Sequence, residues 1–316
     1  MKRFLPLAAL VLASPLIAQE GYITPASVIA RTSAEEWQAI PSEDLLVMDL
    51  APDREGVERR VVIQLMSPPF SQGWVENIRK LAGSRWWDGT SIYRVQDNYV
   101  VQWGDVTEKK ALPEGVQNVA QSAYVVTNGD FVAPSNRSAG GSERIRSSLG
   151  ADSYAERTRF VDGWAIAMEG GGPETLAWPV HCYGAVGVAR SVEDTGMGSD
   201  LYAVIGHAPR QLDRNIAVVG RVIEGIEHLS VLPRGKGELG FYEDSEADKR
   251  VPILSVRLGS ELPDPPLFEY LSTDSESFAK YAHSRANRQD DFYQVPAGGV
   301  DVCNVPVPVR RATAAG

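Results

Sequence analysis

Residues Ser91–Asp105 read SIYRVQDNYVVQWGD. Two apolar-rich runs flank a Gln96-Asp97-Asn98 turn, and short runs of β-branched and aromatic residues around such a turn predict a β-hairpin. Two residues stand out from that pattern: Arg94 in the middle of the first run and Gln102 near the end of the second. An arginine turned inward carries a desolvation cost unless something pairs with it. On a solvated face it carries none, and the hairpin alone leaves both readings open.

The chain opens on MKRFLPLAALVLASPLIA, with Lys2 and Arg3 ahead of an apolar run and small residues before a cut after Ala18. That is the pattern of a secretory signal peptide. The run is short and broken by Pro6 and Pro15, so it does not suit a membrane span. Without those eighteen residues the chain keeps 29 basic and 41 acidic side chains, a net charge of −12. A field of that sign opposes nucleic acid and anionic lipid surfaces. The expected partners are therefore neither, and the expected location is periplasmic or secreted, as a monomer.

Cys182 and Cys303 are the two cysteines. Neither has zinc-ligand or C-x-x-C spacing, and His181 beside Cys182 makes no metal site alone. In an oxidising compartment they are candidates for a single disulfide, which would clamp the tail to the body of the fold; two buried thiols are the alternative.

Along the chain, TSAEEW places Ser33 and Glu36 as a capping box for a short helix. EDLLVMDL and ERRVVIQLM read as a strand pair around the turn APDREG. Trp74, Ile78, Leu81 and Ala82 recur at helical spacing, and Gly83 ends that helix. From Val106 to Asp162 the chain is polar and rich in Ser, Gly and Asn, too long for an ordinary loop, and reads as an insertion with ordered and flexible parts. WAIAM, AVGVA, LYAVIGH and IAVVGRVIEG are short strands separated by turns, as in a barrel. GIEHLSVLP returns to helical spacing and VPILSVRLGS is a last strand. SESFAKYAHSRA is a tail helix, followed by coil rich in Pro and Val.

Several chemistries find no support. GKGELG (Gly235–Gly240) fits G-x-G-x-x-G but follows a helix and opens none, so it reads as turn glycines. No G-x-S-x-G elbow occurs. His181, His207, His228 and His283 are scattered singly and read as strand or helix-face residues. No metal or cofactor is expected.

The order of VVIQL, WVENIRKLAGSRWWDGT and SIYRVQDNYVVQWGD resembles the start of the cyclophilins, which carry VENF-x-x-L, Y-D-G-T, F-H-R and F-M-I-Q-G-G-D. Further on, GMGSDLYAVIG is similar to their N-G-S-Q-F-F-I, and LDRNIAVVGRVIEG to L-D-G-K-H-V-V-F-G-K-V-x-E-G. The likeness spans Arg59 to Asp105 and Trp164 to Leu258. It implies a mainly β fold: an eight-stranded antiparallel barrel capped by two helices, with a substrate groove on its outer face. It also implies peptidyl-prolyl cis-trans isomerase activity on proline-containing polypeptides. Arg94 falls on the arginine that hydrogen-bonds the substrate proline, and Gln102 on the glutamine that holds it. Tyr99, Val100, Tyr202, Leu212 and Ile216 fall on the proline pocket, and Arg190 on a backbone contact.

The match departs from the family at the rim, where Tyr93, Trp103, Asp200 and Gln211 replace a histidine, a glycine, a glutamine and a tryptophan. A catalytically weak binding module or envelope chaperone on the same barrel is therefore the second expectation. The expected organisation is a signal peptide (1–18), a lead-in (19–57), a cyclophilin-like domain (58–260, with the insertion at 106–162) and a C-terminal extension (261–316).

Overall fold

The computed structural model describes residues 23–127, 149 and 152–312, so the expected signal peptide and the middle of the expected insertion lie outside the described residues. In chain order the first strands are β1 (Trp37–Ile40), β2 (Leu45–Leu50), β3 (Arg59–Leu65), β4 (Ser91–Val95) and β5 (Val100–Gly104). The insertion and its sequel give β6 (Val126–Thr127), β7 (Arg157–Val161), β8 (Trp164–Glu169) and β9 (Leu176–Pro179). Then come β10 (Ala185–Val188), β11 (Leu201–Val204), β12 (Val218–Glu224), β13 (Val251–Leu258), β14 (Phe268–Leu271) and β15 (Val309–Arg311). Helices are α1 (Pro25–Ile29), α2 (Gln72–Gly83), α3 (Ile226–Ser230) and α4 (Glu276–Ala286).

Eight strands close an antiparallel barrel in the order β10-β11-β5-β4-β13-β2-β3-β12. The helix α2 forms because Trp74, Val75, Ile78, Leu81 and Ala82 share one face, which packs against β12 and β13. Trp74 and Trp87 are fully buried, and each such burial stabilises by on the order of 1.5–3 kcal/mol. Their indole N–H groups donate outward to a single loop. Trp74 Nε1 reaches the Gly196 carbonyl at 3.0 Å and Trp87 Nε1 the Ser199 carbonyl at 2.7 Å. The helix also pins the start of the insertion, since the Asn77 amide exchanges two hydrogen bonds with the Gln117 backbone at 2.7 and 3.0 Å.

Four expectations are corrected. The lead-in is not outside the barrel: β2 is one of its eight strands, paired along its length with β3, so a boundary at residue 58 cuts through the barrel. WAIAM is not a barrel strand. Asp162 and Gly163, both at positive φ (45° and 84°), form a tight hairpin turn that ties β8 to β7. Those strands belong to a four-stranded sheet, β6-β9-β8-β7. Ser33 and Glu36 cap only a 3-10 turn, because Trp37 is already paired with Leu271 in a strand. The tail is not all coil: β15 pairs with β14, which pairs with β1.

A second apolar core lies between the added sheet, α1 and α4, around Phe160, Trp178, Leu271, Phe278 and Tyr281. Cys182 and Cys303 are joined as a disulfide beside it, with a Cα–Cα distance of 5.0 Å. Among the described residues no helix is long and apolar enough to cross a membrane.

Candidate active site

The site begins at the hairpin. Arg94 and Gln102 face each other across β4 and β5, and the register slips between Ile92 and Arg94. Such a β-bulge breaks the strict alternation of a strand and re-aims side chains. Two consecutive residues, Tyr93 and Arg94, thereby line the same outer groove.

Arg94 is held from three sides. Its Nη1 donates to Gln102 Oε1 at 2.9 Å, its Nη2 to Gln96 Oε1 at 2.6 Å, and its Nε to the Leu239 carbonyl at 2.8 Å. The guanidinium also lies 5.1 Å from the Phe241 ring centroid and 5.9 Å from that of Tyr99. Partial burial lowers its pKa. A guanidinium has five N–H groups, so one on each of Nη1 and Nη2 remains for a ligand.

Gln102 passes the chain onward. Its Nε2 donates to the Tyr93 hydroxyl at 2.6 Å, and that hydroxyl donates to Asp200 Oδ1 at 2.7 Å. Ser199 Oγ donates to the other oxygen of Asp200 at 3.0 Å. Burial raises the Asp200 carboxyl above its ordinary 3.8 against the pull of these donors.

The loop that supplies Leu239 is the GKGELG stretch, which Phe241 follows directly. It crosses so close to the hairpin that a Cβ on Gly240, at φ 82°, would lie 2.6 Å from Gln96 Cα. Glu246 anchors it, taking Lys249 Nζ at 2.5 Å and the backbone N–H groups of Lys236 and Glu243. Lys249 foremost brings the Glu246 carboxyl down to about 2.

The groove encloses about 680 Å³. Tyr99, Val100, Tyr202, Leu212 and Ile216 line it together with Arg94, Gln102 and Arg190. Arg190 is tethered to the rim through the Asn215 and Ser191 carbonyls, at 3.0 and 2.7 Å. Tyr202 reaches across β10, where a Cβ on its partner Gly187 would meet the phenol oxygen at 2.3 Å. The Tyr202 hydroxyl pairs with His181 Nε2 at 2.8 Å, and His181 Nδ1 with Asp213 Oδ1 at 2.9 Å. Arg210 Nε donates to the other Asp213 oxygen at 2.6 Å.

All eight residues singled out for catalysis and substrate binding thus surround one groove, whereas Gln211 does not line it. The disulfide lies elsewhere. Sequence reasoning missed Leu239, Phe241 and the His181 link. The loop carries no periodicity to mark it, and a lone histidine has no pattern that reveals its partners. Among the described residues no group of three or more His, Cys, Asp or Glu side chains could hold a metal ion.

No curated protein matches the chain. Among solved structures it is similar to the cyclophilin AquaCyp293 from Hirschia baltica, with a TM-score of 0.63 at 20% identity over 93% of this chain and 99% of that one. A Cryptosporidium parvum cyclophilin type peptidyl-prolyl cis-trans isomerase, solved in the presence of the dipeptide ala-pro, matches at 12% identity with a TM-score of 0.34. It covers 67% of this chain and 98% of its own, and at that score it adds nothing to the fold argument. The model of the family "Cyclophilin type peptidyl-prolyl cis-trans isomerase/CLD" matches residues 60–258, which hold seven of the eight barrel strands and the whole hairpin. With the barrel and that match in agreement, the chain belongs to the cyclophilin-type peptidyl-prolyl cis-trans isomerase family.

Proposed function

We propose that this protein isomerises X-Pro bonds of exported polypeptides, with Arg94 favouring the twisted amide over both planar forms. The observation that carries the reading is the immobilised guanidinium beside an apolar groove wall. Rotation about an amide crosses a barrier of about 18–20 kcal/mol because conjugation must be broken. No covalent bond need break, so the catalyst has only to bind the twisted form best. At the twist the prolyl nitrogen regains its lone pair, and a free Arg94 N–H donates to it. Tyr99, Val100, Tyr202, Leu212 and Ile216 hold the ring meanwhile. Gln102 and the Leu239 carbonyl keep the donor in place, so little reorganisation is needed at the twist.

The export signal read at the N-terminus supports the choice of exported substrates, as does a disulfide of the kind that persists in oxidising compartments. Arg94→Ala should lower turnover of an Ala-Pro test peptide by about 10²–10³, the usual loss for one preorganised donor. Circular dichroism should show an intact barrel. Equal turnover in the folded variant would end the assignment. The second reading, a catalytically weak binding module of the cell envelope, draws on the loop over Arg94, which takes up the Nε–H and stacks Phe241 against Tyr93. It expects wild-type peptide binding without turnover, and the same assay separates the two.

A further inference from the structure

A second cavity, of about 390 Å³, lies between barrel strands β10 and β12, the added sheet and the disulfide-clamped tail. It shares no lining residue with the groove. Its walls are mostly apolar, with Met66, Trp164, Val180, Val218, Val305 and Val307 among them. The two charged residues on its lining are both arginines, Arg221 and Arg285, and no carboxylate lines it, in a chain of net charge −10.

Arg221 is the distinctive group. Its Nε and Nη2 donate to Gln64 Oε1 at 3.0 and 2.7 Å, and its Nη1 to the Gly163 carbonyl at 2.7 Å. Its guanidinium lies 4.7 Å from the Trp164 ring centroid. All these partners are neutral, and among the described residues it makes no ion pair. Two of its five N–H groups remain unassigned. Burial pulls its pKa down to about 10, a desolvation cost that an anion would offset. Arg285, at the tail side, donates through Nε to the Asn304 carbonyl at 2.5 Å and likewise has no described carboxylate partner.

Arg257 is matched with Asp88 and Arg210 with Asp213, whereas Arg221 and Arg285 are held by neutral groups alone. Here two guanidinium groups border an apolar space within the usual size range of small-molecule sites. We infer that this cavity binds a single-chain amphiphile with a carboxylate head: the head on Arg221, assisted by Arg285, and the tail along the valines of residues 302–309. The inference is independent of the prolyl groove.

Calorimetric titration of the full chain tests it, with decanoate, decan-1-ol and decyltrimethylammonium as probes below their aggregation limits. Decanoate should saturate at one per chain, with the alcohol and the cation bound at least about tenfold more weakly, as loss of a charged hydrogen bond implies. Arg221→Gln should lower decanoate affinity by about tenfold and leave that for the alcohol unchanged. Val307→Trp should block all binding by filling the space, and Arg94→Ala should change nothing. If Arg221→Gln fails to fold, Arg285→Gln, with a smaller selective loss, and Val307→Trp decide. Absence of saturable decanoate binding overturns the inference. So does equal affinity for decanoate and decanol, insensitivity to Val307→Trp, or loss of binding in Arg94→Ala.

Discussion

Tyr202 has two surroundings at once: its ring lines the groove, and its hydroxyl joins a buried chain through His181 to Asp213 and Arg210. His181 is fully buried, so every polar atom it presents must be matched within the protein. Tyr202→Phe keeps the groove wall but strands the His181 Nε2, and should cost about 1–3 kcal/mol in urea unfolding. KM for the test peptide should hold, whereas Tyr202→Ala should raise it. A Tyr202→Phe variant as stable as wild type would show that the hydroxyl contributes nothing. Asp200 makes the pH-dependent counterpart. Its folded pKa lies above 3.8, so between that value and the raised one the folded state retains a proton that the unfolded chain has released. The contribution of Asp200 to stability therefore falls as pH rises through that window, and Asp200→Asn should remove that slope. Unfolding curves taken from about pH 4 to about pH 7 give the comparison, and parallel slopes for the two proteins would contradict it.

Among elements, the hairpin and the crossing loop contrast in how they arise. Hairpin residues are near neighbours in sequence, so a turn between two apolar runs suffices to read β4 and β5, and the family resemblance then singles out Arg94 and Gln102. The Leu239 carbonyl meets Arg94 across 145 residues, and no local pattern announces such a contact. The β7–β8 hairpin is a different case: the Asp162-Gly163 turn is a strong local signal, obscured by treating residue 162 as the end of an insertion. The loop has its own acid sensitivity. Glu246 is depressed from 4.5 to about 2, so the stability it lends is complete above 4.5 and is lost as pH falls toward 2. Glu246→Gln should reproduce part of that loss at neutral pH, with faster amide exchange over residues 235–243 and a several-fold drop in turnover. Unchanged exchange in that segment would mean that the loop is held by other contacts.

On the scale of the whole molecule, the barrel alone does not account for the chain. Tail, insertion and lead-in build a second core beside it, and the Cys182–Cys303 bond closes a loop with a sequence separation of 121. In the chain-entropy account a closure of that length stabilises by about 4–5 kcal/mol. Reduction should therefore lower the urea midpoint and loosen α4 and β15 while the groove still binds peptide. An unchanged midpoint under dithiothreitol would contradict this. The same closure has a mechanical meaning. Force applied to the two ends passes through the covalent bridge, so the backbone of β10 to β13, α3, α4 and β14 cannot be drawn out while it is intact. An oxidised molecule stretched in optical tweezers should stop roughly 400 Å short of the contour length of the reduced one, at about 3.3–3.6 Å per residue. The chain between the two cysteines is thus sheltered from extension, although its strand β13 loses both of its partners, β2 and β4, once the remainder is drawn out.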